Sequence, residues 1–170
     1  MYAGFVNLGA TIRLYLQTKN ASKAPTNATD QPTWRAYGAS GVVANGTAAI
    51  AEAGVISDAS NATPIVITDA AHGLTQGTRI TVAGVLVNTA ANGSFNIGSA
   101  ILTASTFSLD GSVGNGNYGG GGSWNTSGLY AIDIVASEGN GFESGQTYTV
   151  IATYQISGVS YSQEFTFTVN

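Results

Sequence analysis

The final quarter of the chain most constrains the fold, because apolar and polar residues alternate through two consecutive segments. In "TYTVIATYQIS" and "VSYSQEFTFTV" every second residue is apolar or aromatic, with few exceptions. The two apolar faces carry Tyr148, Val150, Ala152, Tyr154 and Ile156, then Val159, Tyr161, Phe165, Phe167 and Val169. A period of two is typical of a strand with one buried face. Ser157-Gly158 separates the segments, so the pattern predicts a β-hairpin.

A single hairpin is not stable in water, so these strands need partners. The segment "LGATIRLYLQT" shows the same alternation, and "PTWRAYGAS" and "GLYAIDIVAS" also favour strands. The apolar face of "LGATIRLYLQT" carries Leu8, Ala10, Ile12, Leu14 and Leu16. The segment "GTAAIAEAGVIS" has enough alanine for a short helix. It has no apolar face at 3.6-residue spacing, so a strand is the favoured interpretation.

Between about residues 55 and 125 the strand-sized runs become shorter and turn residues denser. "PIVITD", "RITVAGV", "GSFNIG" and "STFSLD" alternate with segments rich in Gly and Asn. Short strands at a spacing of about 8–12 residues predict a small β-barrel or sandwich. We therefore predict an all-β chain in which residues 1–54 and 126–170 form an outer β-sandwich. Residues 55–125 are predicted to form a second β module inserted between its halves.

Composition excludes several classes of protein. Charged residues make up 8% of the chain, against an average of about 25%. The net charge is −4, and the five basic residues are scattered as Arg13, Lys19, Lys23, Arg35 and Arg79, so no nucleic-acid partner is expected. The absence of cysteine excludes disulfides, cysteine nucleophiles and thiolate metal sites. The N-terminus lacks the pattern of a signal peptide, and no apolar run is long enough for membrane insertion.

His72 is the only histidine, and it lies in the glycine-bounded segment "HGLTQG". A catalytic histidine needs a nucleophile or an orienting carboxylate, and Asp69 is the one nearby candidate. Asp58, Asp69 and Asp110 could converge on a calcium ion, but no D-x-D-x-D loop supports this. We therefore expect a structural His72, no catalytic or metal site, no cofactor and no enzymatic activity.

Residues 114–119 match G-x-G-x-x-G, the fingerprint of dinucleotide-binding loops. That motif must lead into a helix whose N-terminus holds the phosphate. Here "GGGSW" follows, which cannot start a helix. The segment is therefore predicted to be a loop.

An ordered series of motifs resembles a module common in structural proteins of tailed phages. The series begins with His72-Gly73-Leu74, Gly77, Ile80, Val82 and Gly84-Val85. It continues with Asn92-Gly93-Ser94-Phe95, then with Thr106-Phe107-Ser108-Leu109-Asp110-Gly111-Ser112, and it ends with Gly121-Gly122-Ser123-Trp124. The module is similar to the FCCH β-barrel of ubiquitin-activating enzymes, without their chemistry. "PTWRAYG" and "NGFESGQTYTVIATYQISGVS" resemble another phage pattern. The resemblance implies an Ig-like β-sandwich split by an inserted small β-barrel or sandwich.

The residues of the series also have a structural interpretation of their own. Gly73 and Gly77 flank a turn that is predicted to need positive φ, with Leu74 filling a small core between them. Asn92-Gly93 is a signal for a β-hairpin, placed before the strand of Phe95. Phe107 and Leu109 share a strand face and Asp110-Gly111 begins the next turn, while Trp124 anchors the return of the chain to the outer sandwich.

The resemblance implies a virion structural protein, assembled in the cytoplasm of a bacterial host. Decoration or cementing of the capsid is the leading hypothesis, and a tail or baseplate protein is the alternative. The expected partners are other virion proteins, with homo-oligomers in the particle. A third hypothesis is a glycan-binding module, because Trp34, Tyr37, Tyr118 and Trp124 could stack on sugar rings.

Overall fold

The computed structural model describes all 170 residues and is built almost entirely from strands. Strand accounts for 52% of the residues and helix for 4%. The strands are β1 (Tyr2–Val6), β2 (Thr11–Gln17), β3 (Thr33–Gly38), β4 (Gly41–Thr47), β5 (Ala49–Ile50), β6 (Ala53–Val55), β7 (Asp58–Ala59), β8 (Val66–Thr68), β9 (Arg79–Ala83), β10 (Gly93–Leu102), β11 (Thr106–Leu109), β12 (Ser123–Thr126), β13 (Leu129–Val135), β14 (Thr147–Ile156) and β15 (Val159–Val169). Two 3-10 helices span Thr89–Ala91 and Glu138–Asn140. None of the helical segments has the length and apolar character needed to span a membrane.

The all-β prediction is confirmed, including the strand interpretation of the alanine-rich segment, which forms β5 and β6. The chain divides into two compact units. Unit 1 comprises Met1–Ala51 and Gly128–Asn170, and unit 2 comprises Glu52–Ser127. That each unit folds as an independent domain stays a prediction.

Unit 1 is a sandwich of two sheets. One sheet has the strand order β1-β15-β14-β3-β4, and the other has the order β2-β13-β5. The pairing of β1 with β15 is parallel, and every other pair in the two sheets is antiparallel. Strands β3, β14 and β15 take the places of strands C, F and G of the immunoglobulin fold, and β2, β13 and β5 those of B, E and D. The chain is therefore an Ig-like sandwich in unit 1.

A tyrosine at the start of β14 supports this topology. The Tyr148 hydroxyl accepts a hydrogen bond from the Glu143 N–H at 2.8 Å, which is the arrangement called a tyrosine corner in immunoglobulin domains. Antibody domains place a disulfide cysteine two residues later. Here that position is Val150, which is fully buried, so apolar packing replaces the covalent link in a chain without cysteine.

The predicted C-terminal hairpin is confirmed. β14 and β15 pair without a register break from Thr147↔Thr168 to Ile156↔Val159. Ser157 and Gly158 have φ of 52° and 78°, the two positive values that a type I′ turn requires. Most of the buried side chains lie toward the open end of the hairpin. Near the turn Ile156 is buried, Tyr154 and Tyr161 stack on each other and remain partly exposed, and Val159, which was predicted on the apolar face, is exposed.

The second sheet joins strands from the two ends of unit 1. β2 pairs with β13 along its whole length, from Thr11↔Val135 to Gln17↔Leu129. Ile12, Leu14 and Leu16 point into the core, as their alternation predicts. The predicted face also included Leu8 and Ala10, but β2 begins only at Thr11 and Ala10 is exposed.

Unit 2 is one open sheet with the order β6-β12-β9-β10-β11-β8-β7. β10 pairs with β9 through its first half and with β11 through its second, with a register shift between Ile97 and Leu102. The sheet folds over a core that includes Ile67, Ile80, Phe107 and Trp124. Of the predicted alternatives, barrel or sandwich, no closed barrel forms, because the end strands β6 and β7 are three and two residues long and do not pair with each other.

Removal of unit 2 tests whether unit 1 folds by itself. The Ala51 N–H donates to the Leu129 carbonyl oxygen at 3.0 Å, so the two cut ends lie side by side. A chain with Ala51 joined to Gly128 through a short Gly-Ser linker is expected to unfold in a single cooperative thermal transition, followed by circular dichroism. Residues 52–127 alone are expected to be less stable, because a small domain buries a smaller fraction of its surface. Gradual, non-cooperative melting of the joined chain would show that unit 1 cannot form its core alone.

Candidate functional site

His72 is held inside unit 2 by packing and by one hydrogen bond. Its side chain is 8% exposed, and its ring meets Phe107 edge-on at 4.9 Å between centroids. Nδ1 accepts a hydrogen bond from the N–H of Leu74 at 3.0 Å. Nε2 is buried and has no hydrogen-bond partner. The ring therefore closes a turn over an aromatic core residue, with no acid, base or nucleophile in contact with its second nitrogen.

The turn after His72 has the backbone geometry that the sequence predicts. Gly73 and Gly77 have φ of 67° and 81°, and Leu74 is buried between them. Ala71 also has a positive φ of 57°, which no residue type had indicated. The Gly77 N–H donates to the Ile97 carbonyl oxygen at 2.9 Å, which ties the turn to β10.

The hairpin predicted from Asn92-Gly93 forms between β9 and β10, but its turn does not lie at these two residues. Asn92 is extended, with φ −77° and ψ 130°, and Gly93 with φ 144° is the first residue of β10. The connection from β9 is longer and contains the 3-10 helix at Thr89–Ala91. The Asn92 side chain instead pairs with Val85, donating to its carbonyl oxygen and accepting its N–H, both at 2.9 Å. The turn does not form at Asn-Gly because this asparagine bonds across the longer connection to Val85.

The remaining motif residues of this segment build the core and its next turn. Phe107 and Leu109 are fully buried in β11, and Phe95 packs against the core while partly exposed. The Ser112 N–H donates to the Leu109 carbonyl oxygen at 3.2 Å across Asp110-Gly111, and Gly111 has φ 71°. This is the predicted turn. Its residues border a shallow cleft of about 250 Å³ with Thr63, Ser99 and Ser108.

Trp124 has a partner that the sequence did not indicate. Its Nε1 donates to Asp69 Oδ2 at 2.7 Å, and the ring is 2% exposed. A side chain at Gly54, opposite Trp124 in the pairing of β12 with β6, would collide with both groups. Asp69, the sequence candidate for a partner of His72 or a metal ligand, instead orients the indole with its carboxylate. Gly54 leaves the space that this hydrogen bond occupies.

The glycine-rich loop serves close backbone contact. Main-chain hydrogen bonds of 3.0 Å join the Gly119 N–H to the Leu86 carbonyl oxygen and the Leu86 N–H to that of Gly120. Side chains at Gly116 or Gly119 would strike Val87. Buried Asn88 accepts the Asn115 N–H at 3.1 Å and fixes the start of the loop. The loop is the predicted non-helical segment, and it lies flat along residues 84–87.

The aromatic residues of the glycan hypothesis do not form a stacking surface. Trp34, 8% exposed, packs over Gly46 in unit 1, and Trp124 is enclosed as described. The Tyr118 hydroxyl lies 2.8 Å from the carbonyl oxygens of Ile56 and Gly121, and Tyr37 is half-buried. Because both tryptophan rings are covered, they cannot offer a face to a sugar, which contradicts their role in that hypothesis.

The five-stranded sheet of unit 1 has one side that faces away from the core, called here the outer face. Side chains that project from it include Tyr2, Phe5, Thr33, Arg35, Tyr37, Asn45, Thr47, Thr147, Thr149, Ile151, Thr153, Ser162, Glu164, Thr166 and Thr168. Threonine hydroxyls pair across strands at 2.9 Å for Thr33–Thr153 and 3.0 Å for Thr147–Thr168. The two charged groups of this set, Arg35 and Glu164, flank Ile151 in the strand register. The face is therefore almost neutral and rich in hydroxyl groups.

One ion pair lies on the second sheet. Arg13 on β2 binds Asp133 on β13 through two nitrogens, at 2.7 and 2.8 Å, and both side chains are about half exposed. The hydrogen bond from Arg13 lowers the pKa of Asp133 below its usual value. The same bond raises the pKa of Arg13, which stays charged at any ordinary pH.

No His, Cys, Asp and Glu side chains form a group of three that could hold a metal ion. The three aspartates of the calcium hypothesis have separate local roles. Asp58 accepts the N–H of Ala59 at 2.9 Å, Asp69 binds Trp124, and Asp110 stands in its turn.

Comparisons with known proteins do not assign the chain to a family. No family model matches it, and no curated protein matches it. Among solved structures, the endosialidase of phage phi92 is similar with 15% identity and a TM-score of 0.32, over 95% of this chain and 26% of that one. The collagen-binding subdomain of the Enterococcus faecalis surface protein ACE gives 13% identity and a TM-score of 0.23, over 99% and 93% of the two chains. A family 123 glycoside hydrolase from Clostridium perfringens gives 11% and 0.23, over 98% and 22%. The chain thus spans about a quarter of the phage enzyme, and these low TM-scores do not indicate a shared function.

Substitution of Gly77 separates a backbone requirement from a packing requirement. No atom lies within 4 Å of a side chain added there, so only the positive φ opposes a larger residue. Gly77→Val is expected to destabilise the protein by about 1–2 kcal/mol or more, because a branched residue disfavours the left-handed region. Gly77→Asn should cost clearly less, since asparagine tolerates that region. Urea unfolding midpoints give the comparison; equal losses would show that φ is not the constraint.

Acid should weaken unit 1 slightly through Asp133. Because its pKa is lowered in the folded state, the Arg13–Asp133 pair stabilises the fold above the ordinary pKa of aspartate. That contribution is lost as the pH falls through the lowered pKa. Asp133→Asn should remove this part of the acid dependence, measured as the urea midpoint across that window, with Asp30→Asn as the exposed control. The difference should be small and shrink in high salt, because the pair is exposed. If the urea midpoint of Asp133→Asn fell with pH as it does in the parent protein, the predicted contribution of the Arg13–Asp133 pair would be contradicted.

Proposed function

We propose that the protein is a non-enzymatic structural component of a phage particle, acting through protein–protein contacts on the capsid. The observation that carries this proposal is the outer face of unit 1. It is a wide, nearly neutral surface rich in hydroxyl groups, with Tyr2 and Phe5 exposed along one border. A surface of this kind fits a flat protein neighbour better than a small molecule, since small-molecule sites are concave and enclosed.

The placement of the motif series supports the phage assignment of the proposal. The residues from His72 to Trp124 serve packing, turns and internal hydrogen bonds of unit 2. Motif residues that only stabilise the fold are consistent with a structural protein of a particle. The resemblance to phage structural modules therefore rests on residues that specify a fold, and it implies no chemistry.

Capsid decoration is the form of the proposal that we favour. The chain is small and nearly uncharged, and it lacks the long coiled coil or collagen-like repeat that is typical of fibrous tail proteins. A compact sandwich of this kind suits many copies bound to a symmetric shell. The alternative, a tail or baseplate protein, would use the same contact chemistry at a different position.

The position and the contact chemistry are tested on purified particles. The protein is expected to stay with heads after tails are sheared off, in a copy number that matches the shell lattice, and to remain bound through a high-salt wash. Apolar and hydroxyl contacts are little affected by salt, whereas exposed ion pairs are screened. Recovery with tails alone would favour the tail or baseplate alternative over capsid decoration. Absence of the protein from particles would refute both hypotheses.

A matched pair of variants tests the outer face. Thr149→Arg should abolish binding to shells that lack the protein, because it places an unpaired charge at the centre of a neutral contact. Ser22→Arg adds the same charge in an exposed loop outside the outer face and should bind normally. Unchanged melting temperatures would show that both variants fold. Normal binding of Thr149→Arg would exclude the outer face as the contact.

A further inference from the structure

The three sheets have six end strands, and β2 differs from the others. β5, β6 and β7 are two or three residues long. β1 and β4 each pair with their neighbour through a register shift. β2 has seven residues in unbroken register with β13. Short length and bulges are devices that keep a sheet edge from pairing with another chain, and β2 has neither.

The free edge of β2 presents unused main-chain groups. The Thr18 N–H donates to the Gly128 carbonyl oxygen at 2.7 Å, and the Ala136 N–H donates to that of Ala10 at 2.9 Å. Even-numbered residues of this stretch therefore face β13. In an antiparallel ladder the alternate residues face the other side, so Thr11, Arg13 and Tyr15 point their N–H and C=O groups outward. In the Ig fold with sheet ABED, this is the side where strand A pairs with strand B.

Proline and charged side chains also keep a strand edge from pairing with another chain, and β2 has little of either. β2 contains no proline, and its one charge, Arg13, is already neutralised by Asp133 on the same sheet. Tyr15 is 54% exposed beside it. An edge with a neutral outer surface and an exposed aromatic ring accepts another strand with little electrostatic cost.

We propose that β2 pairs with β2 of a second copy of this chain, in antiparallel orientation about a two-fold axis through Leu14. This is the register that overlaps all seven residues of both strands with their outward groups aligned. It sets Arg13 opposite Tyr15 of the other copy, twice, and forms about four main-chain hydrogen bonds from these residues alone. A shift that set Arg13 opposite Arg13 would oppose like charges, which destabilises a strand pair. The product is one six-stranded sheet with the order β5-β13-β2-β2-β13-β5.

The occupant is a second copy because the edge is complementary to itself. An isologous contact needs the same patch on both partners, with each residue meeting a different and compatible one. Arg13 and Tyr15 satisfy this, since a guanidinium stacks favourably on a tyrosine ring. The inference does not rest on the proposed function, because the β2 edge and the outer face belong to different sheets.

Sedimentation equilibrium of the purified full chain tests the pairing without any particle. A concentration-dependent dimer is expected. Tyr15→Pro should abolish it and leave the fold intact, since proline is tolerated where the strand N–H faces outward. Asn45→Pro is the matched control at an outward position of the β4 edge and should leave the dimer unchanged. A monomer at all concentrations, or a dimer that survives Tyr15→Pro, would overturn the proposal.

Charge variants test the register and avoid the risk that proline unfolds the strand. Tyr15→Lys sets a lysine opposite Arg13 of the other copy and should weaken the dimer by about tenfold or more. Tyr15→Glu sets a carboxylate there and should keep or strengthen it. Arg13 and Tyr15 are exposed, so the melting temperatures of the two variants should stay close to that of the parent protein. Equal loss of the dimer in both variants would overturn the pairing of Arg13 with Tyr15.

Discussion

The core of unit 1 exists only because strands from the two ends of the chain pair with each other. β2 and β3 precede unit 2, while β13, β14 and β15 follow it. The pairs β2–β13 and β3–β14 therefore close loops of more than a hundred residues. Such contacts carry a large entropic cost, which the unbroken β2–β13 ladder and one core shared by both segments oppose. Within the C-terminal segment, Tyr148, Phe142 and Phe167 pack together, and the tyrosine corner fixes the approach to β14.

Long strands with one wet face could be predicted from the sequence, because burial imposes a period of two on them. β2, β14 and β15 show this pattern, and most of their inward residues are those expected, although Val159 beside the turn is exposed. For the shortest strands of unit 2, only the presence of a strand could be predicted, because two or three residues are too few to show an alternating pattern. The register shift of β10 between Ile97 and Leu102 was not predictable either, because it depends on the pairing of β10 with both neighbouring strands. The sequence could not exclude a closed barrel for the same reason, because closure depends on whether the end strands β6 and β7 pair with each other.

Most features of the candidate site that the sequence does not predict are side-chain hydrogen bonds between segments distant along the chain. Positive φ at Gly73 and Gly77 was predictable, because glycine is the residue that such a turn favours. The partners Asp69 of Trp124 and Val85 of Asn92 were not, since nothing local marks them. Asn92-Gly93 carries the composition of a turn and forms none, because bonds to Val85 hold the asparagine extended. The tryptophans gave the opposite error: aromatic residues in a neutral chain suggest a binding surface, yet both rings fill space left by glycine.

The low charge of the chain has different consequences in the two units. In unit 2, amides replace charges inside the structure: Asn88 and Asn92 each hold two segments together. In unit 1, threonine replaces charges on the outside, where hydroxyl groups pair across strands on the outer face. A sheet protein with few lysines cannot protect its edges by charge, so shape must protect them. Five end strands are short or shifted in register, and β2 is neither. Its long regular pairing with β13 closes the split core, so the regularity that stabilises unit 1 is also what leaves this edge open to another strand.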